Sequence, residues 1–372
     1  MMVRRTKQSS NSKNINKFEK DKIYKRWLLG ATALVVVILF GLLGYGLLDK
    51  YWIIPGRSVA EVDGYEISFQ TVDQHTRYRR MQMLDQYIAY LDAMKYAGEQ
   101  RNQVQDILDQ IENELDDPVQ HMRQVINELI NTELVINEAL SRNISVDDGE
   151  VDSAIRLFLG FVVDQDNDNN EYEEAYRLYF ENMSLYTDMD EDSFRKLFRN
   201  RLFAEKLQEN LGEEEEFGDE EQVSVKHILF SLDNLDQAND VFERVNNGED
   251  FEALAVEFSD DESNAAIGGD LGWVARGEMV NSFEQVVFGE EETGIVPELV
   301  ATQYGLHIVK IVAKEVRPLA ENVVNQRKLM IFNNWLTETK NNSAIEIFDW
   351  WESAAPNKPD LQDMYSRIQQ SE

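Results

Sequence analysis

Two histidines, each inside an apolar run with β-like alternation, frame a glycine-rich loop: His227 in "VSVKHILFS", His307 in "YGLHIVKIV", and "GGDLGW" between them. Imidazoles in such a setting could ligate a metal, move a proton for a nucleophile, or hold one another by hydrogen bonds. A zinc site lacks its usual third nitrogen or sulfur. The chain has four histidines in all and no cysteine, so a carboxylate such as Asp261 or Asp270 would have to complete the set, and nothing in the spacing asks for that. A hydrolytic triad lacks its nucleophile elbow, because no Gly-x-Ser-x-Gly is present. Taken singly, either histidine reads as a hydrogen-bonded structural residue. The other metal candidate, "DQDNDNNEYEEA", opens like a calcium loop with Asp164, Asp166 and Asp168. It has Asn169 at the turn position and Ala175 where a bidentate Glu belongs, which favours a solvated acidic insertion.

The elements that must position these residues are readable from period and punctuation. Alternation before and after His227 predicts a strand, as does "VATQYGLHIVKIV", with Gly305 permitting a bend ahead of His307. "GEDFEALAVEFSDD" and "RGEMVNSFEQVVF" read as helical segments around the glycine loop. Upstream, "SVAEVDGYEIS" predicts a hairpin turning at Asp63-Gly64. Helices are expected over 69–96, over 101–115, and from Pro118 through a stripe of Val125, Leu129, Ile130, Leu134, Ile136 and Leu140. Ser145 with Asp148 predicts a cap for a short helix, and a further helix is expected from Ser193 to a stop at Gly212. The acidic run "GEEEEFGDEEQ" predicts a solvated linker. After Arg317 a helix containing Trp335 resumes, followed by a possible strand "AIEIFDWW" and a polar tail.

At 372 residues with 43% hydrophobic content, the chain can bury two to three cores. A net charge of −34 makes nucleic acid and anionic lipid poor partners. Residues 1–26, however, carry nine basic side chains against two acidic ones, and Trp27 to Leu48 is 22 residues without a charge. At about 1.5 Å per residue that stretch spans a hydrocarbon core of roughly 30 Å. The basic flank predicts a cytoplasmic N-terminus and an extracytoplasmic bulk. The run is longer than a signal-peptide core, and "DKYWIIPG" offers no small-x-small cleavage site, so an uncleaved anchor is expected.

The elements from Val223 to Val316 resemble a parvulin-type peptidyl-prolyl isomerase domain in order and spacing: "VKHILF", "GEDFEALAVEFSDD", "GGDLGW", "RGEMVNSFEQVVF" and "TQYGLHIVK". The resemblance implies that His227 and His307 form a hydrogen-bonded pair in the floor of the site, that Thr302 fixes their tautomers, and that Asp261 stands beside the twisting imide. It implies a proline-ring pocket of Leu271, Met279 and Phe283, and no cofactor or metal. An apolar cup of Leu, Met and Phe also suits a pyrrolidine ring on chemical grounds, although the same trio would serve as ordinary core. Ser282 departs from the Pro of many relatives, and Tyr304 follows Gln303 at the rim. "ILFSLDNLDQAND" has no Lys or Arg, whereas phosphate-directed parvulins carry a basic cluster there, so ordinary X–Pro bonds are the expected substrate.

More loosely, "VAEVDGYEIS", the segment from Val125 to Ile155 and the returning helix resemble the helical chaperone region of SurA-, PrsA- and PpiD-type foldases, split in sequence by the parvulin insert. The expected fold class is therefore α+β: a transmembrane helix, a mainly helical chaperone-like module, and a β-α-β domain with a small antiparallel sheet wrapped by helices. The expected boundaries are a basic segment 1–26, the anchor 27–48, the helical module 49–211, the linker 212–222, the isomerase domain 223–317 and a returning segment 318–372. The expected activity is that of a membrane-anchored prolyl isomerase and foldase whose partners are unfolded or newly secreted polypeptides. The rival is an anchored chaperone whose parvulin domain binds clients without turnover, and a third reading is an acidic adaptor tethered to a translocon.

Overall fold

The computed structural model describes residues 48–162 and 169–363, with single positions 22, 24, 28, 32, 38, 42 and 366. The expected anchor 27–48 and the start of the acidic insertion, 164–168, lie outside the described residues or reach them only at isolated positions. Among the described residues no helix is long and apolar enough to cross a membrane. The described chain divides after Ala204 and again after Glu338: the two outer parts make one compact unit and Glu205–Glu338 the other.

The first unit opens with the expected hairpin, β1 (Ser58–Val62) and β2 (Tyr65–Ser68). Val62 pairs with Tyr65, and Asp63 and Gly64 take the two positive φ angles, 50° and 88°, that a tight hairpin turn needs. Helices α1 (Phe69–Ala93), α2 (Arg101–Leu115) and α3 (Pro118–Ser141) follow. Asp117 caps α3 ahead of Pro118. The buried face of α3 runs through Met122, Val125, Ile126, Leu129, Ile130, Leu134, Val135 and Ala139. Leu140, expected in the stripe, is 55% exposed because it lies one residue, about 100°, around the helix from Ala139. Helix α4 (Asp148–Phe158) is capped by Asp147 and not by Ser145: Asp147 accepts from the Glu150 amide while Glu150 reaches back to the Asp147 amide, which closes a capping box.

Helix α5 (Asn169–Thr187) absorbs the second half of the acidic insertion, so Asn169 to Ala175 are helical and not a calcium loop. Helix α6 (Glu191–Glu213) starts before Ser193 and runs through Gly212, which has no positive φ and therefore does not act as a helix stop. A Cβ at Gly212 would run into the Lys328 side chain, so close packing explains this glycine.

The second unit is built on an antiparallel sheet. Strand β3 (Glu220–Phe230) begins inside the acidic run expected to be linker, because Glu220, Glu221 and Gln222 pair with Arg317, Val316 and Glu315. Helices α7 (Leu235–Asn246) and α8 (Phe251–Phe258), strand β4 (Asp270–Val274), helix α9 (Asn281–Gly289), strands β5 (Gly294–Ile295) and β6 (Val300–Thr302), and the long strand β7 (Gly305–Arg317) complete it. The sheet order is β4-β3-β7-β5, with β6 also pairing β7. Strand periodicity splits the core in two. Ile228, Phe230 and Ile308 pack on α7 and α8, while Val223, Val225, Val309 and Ile311 pack on Phe283, Val287 and Phe288 of α9.

Helix α10 (Glu321–Asn342) leads back to the first unit, where β8 (Ile345–Ile347) adds to the opening hairpin. Ala60 pairs with Ile347 and Val62 with Ile345, giving the order β2-β1-β8. Segments nearly 300 residues apart thus share one sheet, and the helical module is split in sequence by the β-α-β insert. Further along, the guanidinium of Arg80, 1% exposed, donates to the carbonyls of Leu115 (3.0 Å), Asn357 (2.9 Å) and Pro359 (3.1 Å), which fastens the C-terminal segment to α1 and α2.

Candidate active site

The register of β3 against β7 sets the two histidines beside each other. His227 pairs with Val309 and Leu229 with His307, so the imidazoles are diagonal neighbours on one face, the face that α9 covers. Their Nδ1 atoms are 3.0 Å apart, and both residues are buried. Two glycines make this approach possible. Gly305 (φ 146°) begins β7 where a Cβ would strike the carbonyl of Phe230. Gly269 (φ 71°) lies where a Cβ would strike the carbonyl of His227, whose own N–H donates to Gly269 O at 2.8 Å. Gly269 is therefore a glycine because its backbone packs directly on that of His227, whereas Gly268 packs on Glu252 and Gly272 serves its positive φ.

Beyond Gly269, the free edge of β3 is taken by the segment after α8. The Leu229 amide donates to Ser259 Oγ (3.1 Å), the Asp260 amide to Leu229 O (2.8 Å), and the Ser231 amide to Asp260 Oδ2 (2.8 Å). That stitching aims the next residue at the histidines: Asp261 Oδ2 lies 2.9 Å from His227 Nε2. Ser263 donates to Asp261 Oδ1 from its hydroxyl (2.6 Å) and backbone (3.1 Å), and Asn264 Nδ2 donates to Oδ2 (2.7 Å). At the other end, Thr302 Oγ1 is 2.8 Å from His307 Nε2 and accepts from the Tyr304 amide at 3.0 Å.

Electrostatics gives this chain one polarity. Burial works to raise Asp261, but the hydrogen bonds from Ser263 and Asn264 and the neighbouring His227 outweigh it and hold the carboxyl below the usual range. An ionised carboxylate only accepts, so His227 Nε2–H donates to it. His227 Nδ1 then accepts from His307 Nδ1–H, His307 Nε2 accepts from the Thr302 hydroxyl, and Thr302 accepts from Tyr304. Both rings are neutral in this arrangement. Burial lowers His227, with Asp261 offsetting only part, and burial followed by repulsion from His227 pushes His307 down to about 4.

The apolar trio lies against this network. The Phe283 ring meets both imidazoles edge to face, with centroids 5.3 Å from His307 and 6.2 Å from His227. Leu271 and Met279 are half-buried against the same cluster. Phe283, however, is only 3% exposed and belongs to the core formed with Val287, Val300 and Val309, so it is floor and core at once. The structure thus brings the seven expected residues into one unit, four of them linked by hydrogen bonds. Sequence reasoning missed Ser259, Ser263 and Asn264. The signal available was the run "SDDESN", whose short polar side chains favour bonds to nearby backbone.

Residues 206–315 match the family model described as the PPIC-type PPIASE domain, and residues 85–208 match the SurA-like N-terminal domain. The chain carries a PPIC-type parvulin domain. That domain's match starts within α6, ahead of the Val223 at which the sequence motifs begin. Among curated proteins, the chain is 29% identical over 158 residues to chaperone SurA of Pseudomonas syringae pv. syringae, covering 38% of this chain and 37% of that one. It is 29% identical over 196 residues to foldase protein PrsA of Geobacillus kaustophilus, covering 52% of this chain and 65% of that one. The chain thus spans less than two thirds of the length of these relatives. Among solved structures, the PrsA peptidylprolyl isomerase of Bacillus anthracis aligns over 60% of this chain and 99% of its own at 21% identity, with a TM-score of 0.40.

The PPIC-type domain offers a neutral, fully paired imidazole floor, one partly exposed carboxylate and an apolar cup. No group in it is set up as a nucleophile, and burial lowers both histidines, so neither ring favours the protonated form at neutral pH. Such a site suits a reaction without covalent steps.

Proposed function

We propose that this protein is a membrane-anchored, extracytoplasmic peptidyl-prolyl cis-trans isomerase and foldase that acts on non-phosphorylated X–Pro bonds in unfolded or newly secreted polypeptides. The observation that carries this reading is the one-way hydrogen-bond chain from Tyr304 through Thr302, His307 and His227 to Asp261, lying against the Phe283 cup within a PPIC-type domain.

Rotation about an X–Pro bond is opposed by amide resonance with a barrier of about 18–20 kcal/mol. The twisted state has lost that resonance, its nitrogen is pyramidal and basic, and its carbonyl oxygen carries less negative charge than in either planar form. Leu271, Met279 and Phe283 hold the ring while the preceding carbonyl turns. The neutral histidine floor adds no charge that would favour either planar isomer, and the Asp261 carboxylate opposes the ground-state carbonyl dipole more than the turned one. Stabilisation confined to the twisted state is what accelerates the exchange.

Residues 231–240, "SLDNLDQAND", contain Asp233, Asp236 and Asp240 and no Lys or Arg. A phosphoserine dianion before proline would meet repulsion there and no clamp. Peptides with Ala, Leu or Glu before Pro should therefore turn over at least as fast as the phosphoserine–Pro peptide in parallel assays. A strong preference for the phosphorylated peptide would rule out the specificity claim. Refolding of a proline-limited client tests the foldase claim: its slow phase should accelerate with increasing protein concentration. Reduced aggregation with an unchanged slow phase would support the rival reading, a chaperone whose domain binds without turnover.

The membrane part of the proposal rests on the uncharged stretch from Trp27 to Leu48 behind a basic flank. External protease applied to spheroplasts should leave only a short N-terminal fragment, and full protection would invert the topology.

A further inference from the structure

We propose that Asn264 is a positioning residue for the isomerase reaction, its side-chain amide clamping the Asp261 carboxylate in one orientation against His227. This rests on the isomerase reading above. Asn264 is 5% exposed and sits at the turn that joins the Asp261 loop to the glycine loop. Its backbone carbonyl accepts from the amides of Ile267 (3.0 Å) and Gly269 (3.0 Å), and Gly269 in turn holds the His227 backbone. Its Nδ2 donates to Asp261 Oδ2 at 2.7 Å and lies 3.1 Å from His227 Nε2, so one carboxylate oxygen receives two donors from two different elements.

The orientation of the amide follows from chemistry. Turning it over would set Oδ1 against a carboxylate oxygen, two acceptors with no proton between them. The orientation that serves Asp261 leaves Oδ1 buried with no hydrogen-bond partner. An acceptor left bare in the interior opposes folding. Asn264 therefore contributes to the site mainly through the Nδ2 donor, and its value there is orientational. Replacing it by alanine deletes the useful donor and the bare acceptor together. The two stability effects oppose each other, whereas the carboxylate loses its second tether.

The groups that touch Asp261 are His227 from β3, with His307 behind it, and Ser259, Ser263 and Asn264 of its own loop, which also carries the sequence neighbours Asp260 and Glu262. Of these, Ser263 keeps donating to the other oxygen, Oδ1, so the loss is confined to the oxygen that faces His227. Asn264→Asp would put a second carboxylate on that oxygen, and the two could not both ionise at neutral pH.

The test compares the wild-type full chain with Asn264→Ala, Asn264→Ser and Asn264→Asp. The measurements are proline-peptide kcat and KM across pH, the melting temperature, and ring-15N spectra, which are tractable because the chain has four histidines. Asn264→Ala should lower kcat about tenfold with KM nearly unchanged, as expected when a charge-assisted bond acting in the transition state is lost. Its melting temperature should stay near wild type, its acid limb should move to higher pH, and the His227 ring signals should shift. Asn264→Ser, a shorter donor, should recover part of the rate, and Asn264→Asp should lose more than the alanine variant near neutral pH. A kcat for Asn264→Ala within about twofold of wild type, or a rate loss that merely tracks a loss of melting temperature, overturns the inference. If the wild type itself shows no isomerase activity, the functional reading fails instead, and unchanged His227 ring signals in Asn264→Ala would then overturn the clamp independently.

Discussion

Replacing Phe283 with alanine should destabilise the PPIC-type domain by about 3–5 kcal/mol, the usual cost of emptying a buried aromatic site. The ring is 3% exposed, packs on Val287, Val300 and Val309, and lies edge to face with both imidazoles. Its loss opens a cavity beneath the histidine pair and removes one wall of the apolar cup proposed for proline. From sequence alone, Phe283→Ala is expected to be about as destabilising as His227→Ala or His307→Ala. The structure changes that ranking. Removing one histidine strands its buried partners at about 1–3 kcal/mol, while Phe283 anchors a whole core cluster. Phe283→Leu separates the two roles: it should melt within about 1.5 kcal/mol of wild type, because the volume is nearly kept, yet lose activity because the flat edge under the imidazoles and proline is gone. Denaturant titrations and peptide kinetics on both variants check this. A Phe283→Leu enzyme of full activity would reduce Phe283 to core alone.

Acid should weaken both units steeply. Burial pushes His75, His121 and His307 down to about 4, with further repulsion from Lys196, from Arg79 and Arg80, and from His227 respectively, and His227 is lowered as well. Each ring is neutral in the folded chain and charges on unfolding whenever the pH lies below about 6.5. The unfolded state then binds more protons, so stability is complete above that value and falls as pH drops through the window down to about 4. For His121 and His307, the loss by pH 4 is on the order of 3 kcal/mol each. Melting temperatures at pH 7, 5.5 and 4.5 should fall progressively. His121→Leu should flatten the decline in the first unit and His307→Gln in the second. Melting temperatures that stay constant across the window would contradict the burial argument.

Much of this was legible in the sequence because it depends on short-range rules. Alternation around His227 and His307 specified two strands with the imidazoles on one face, and Asp63-Gly64 specified its hairpin. The "GGDLGW" loop stood out in the sequence without showing what it packs on, and only the structure shows that Gly269 lies on the backbone of His227. Asp261 could be singled out by resemblance, but its orientation depends on Ser259 and Asp260 binding the edge of β3 at Leu229 and Ser231, contacts of about thirty residues' separation that carry no periodic signal. Asn264 was invisible for the same reason, since an asparagine in a polar run looks like turn chemistry. Errors elsewhere were local competitions. Asp147 with Glu150 outdid Ser145 as the cap of α4, and Gly212 stays helical, its missing side chain answering to the Lys328 side chain packed beside it. Glu220 to Gln222, charged enough to read as linker, are strand because β7 extends far enough to pair with them.

The most direct test of the central claim is the cis/trans exchange rate of an Ala-Pro or Leu-Pro peptide, measured by NMR exchange spectroscopy with the full chain and with its Asp261→Ala variant. Uncatalysed exchange takes tens of seconds or longer. The account predicts exchange accelerated in proportion to wild-type protein, and a loss of about tenfold or more in Asp261→Ala, which should still fold, its stability lowered by no more than about 1–3 kcal/mol for the stranded donors of His227 and Asn264. Exchange at the uncatalysed rate with a folded wild-type chain, or full catalysis by Asp261→Ala, would contradict it.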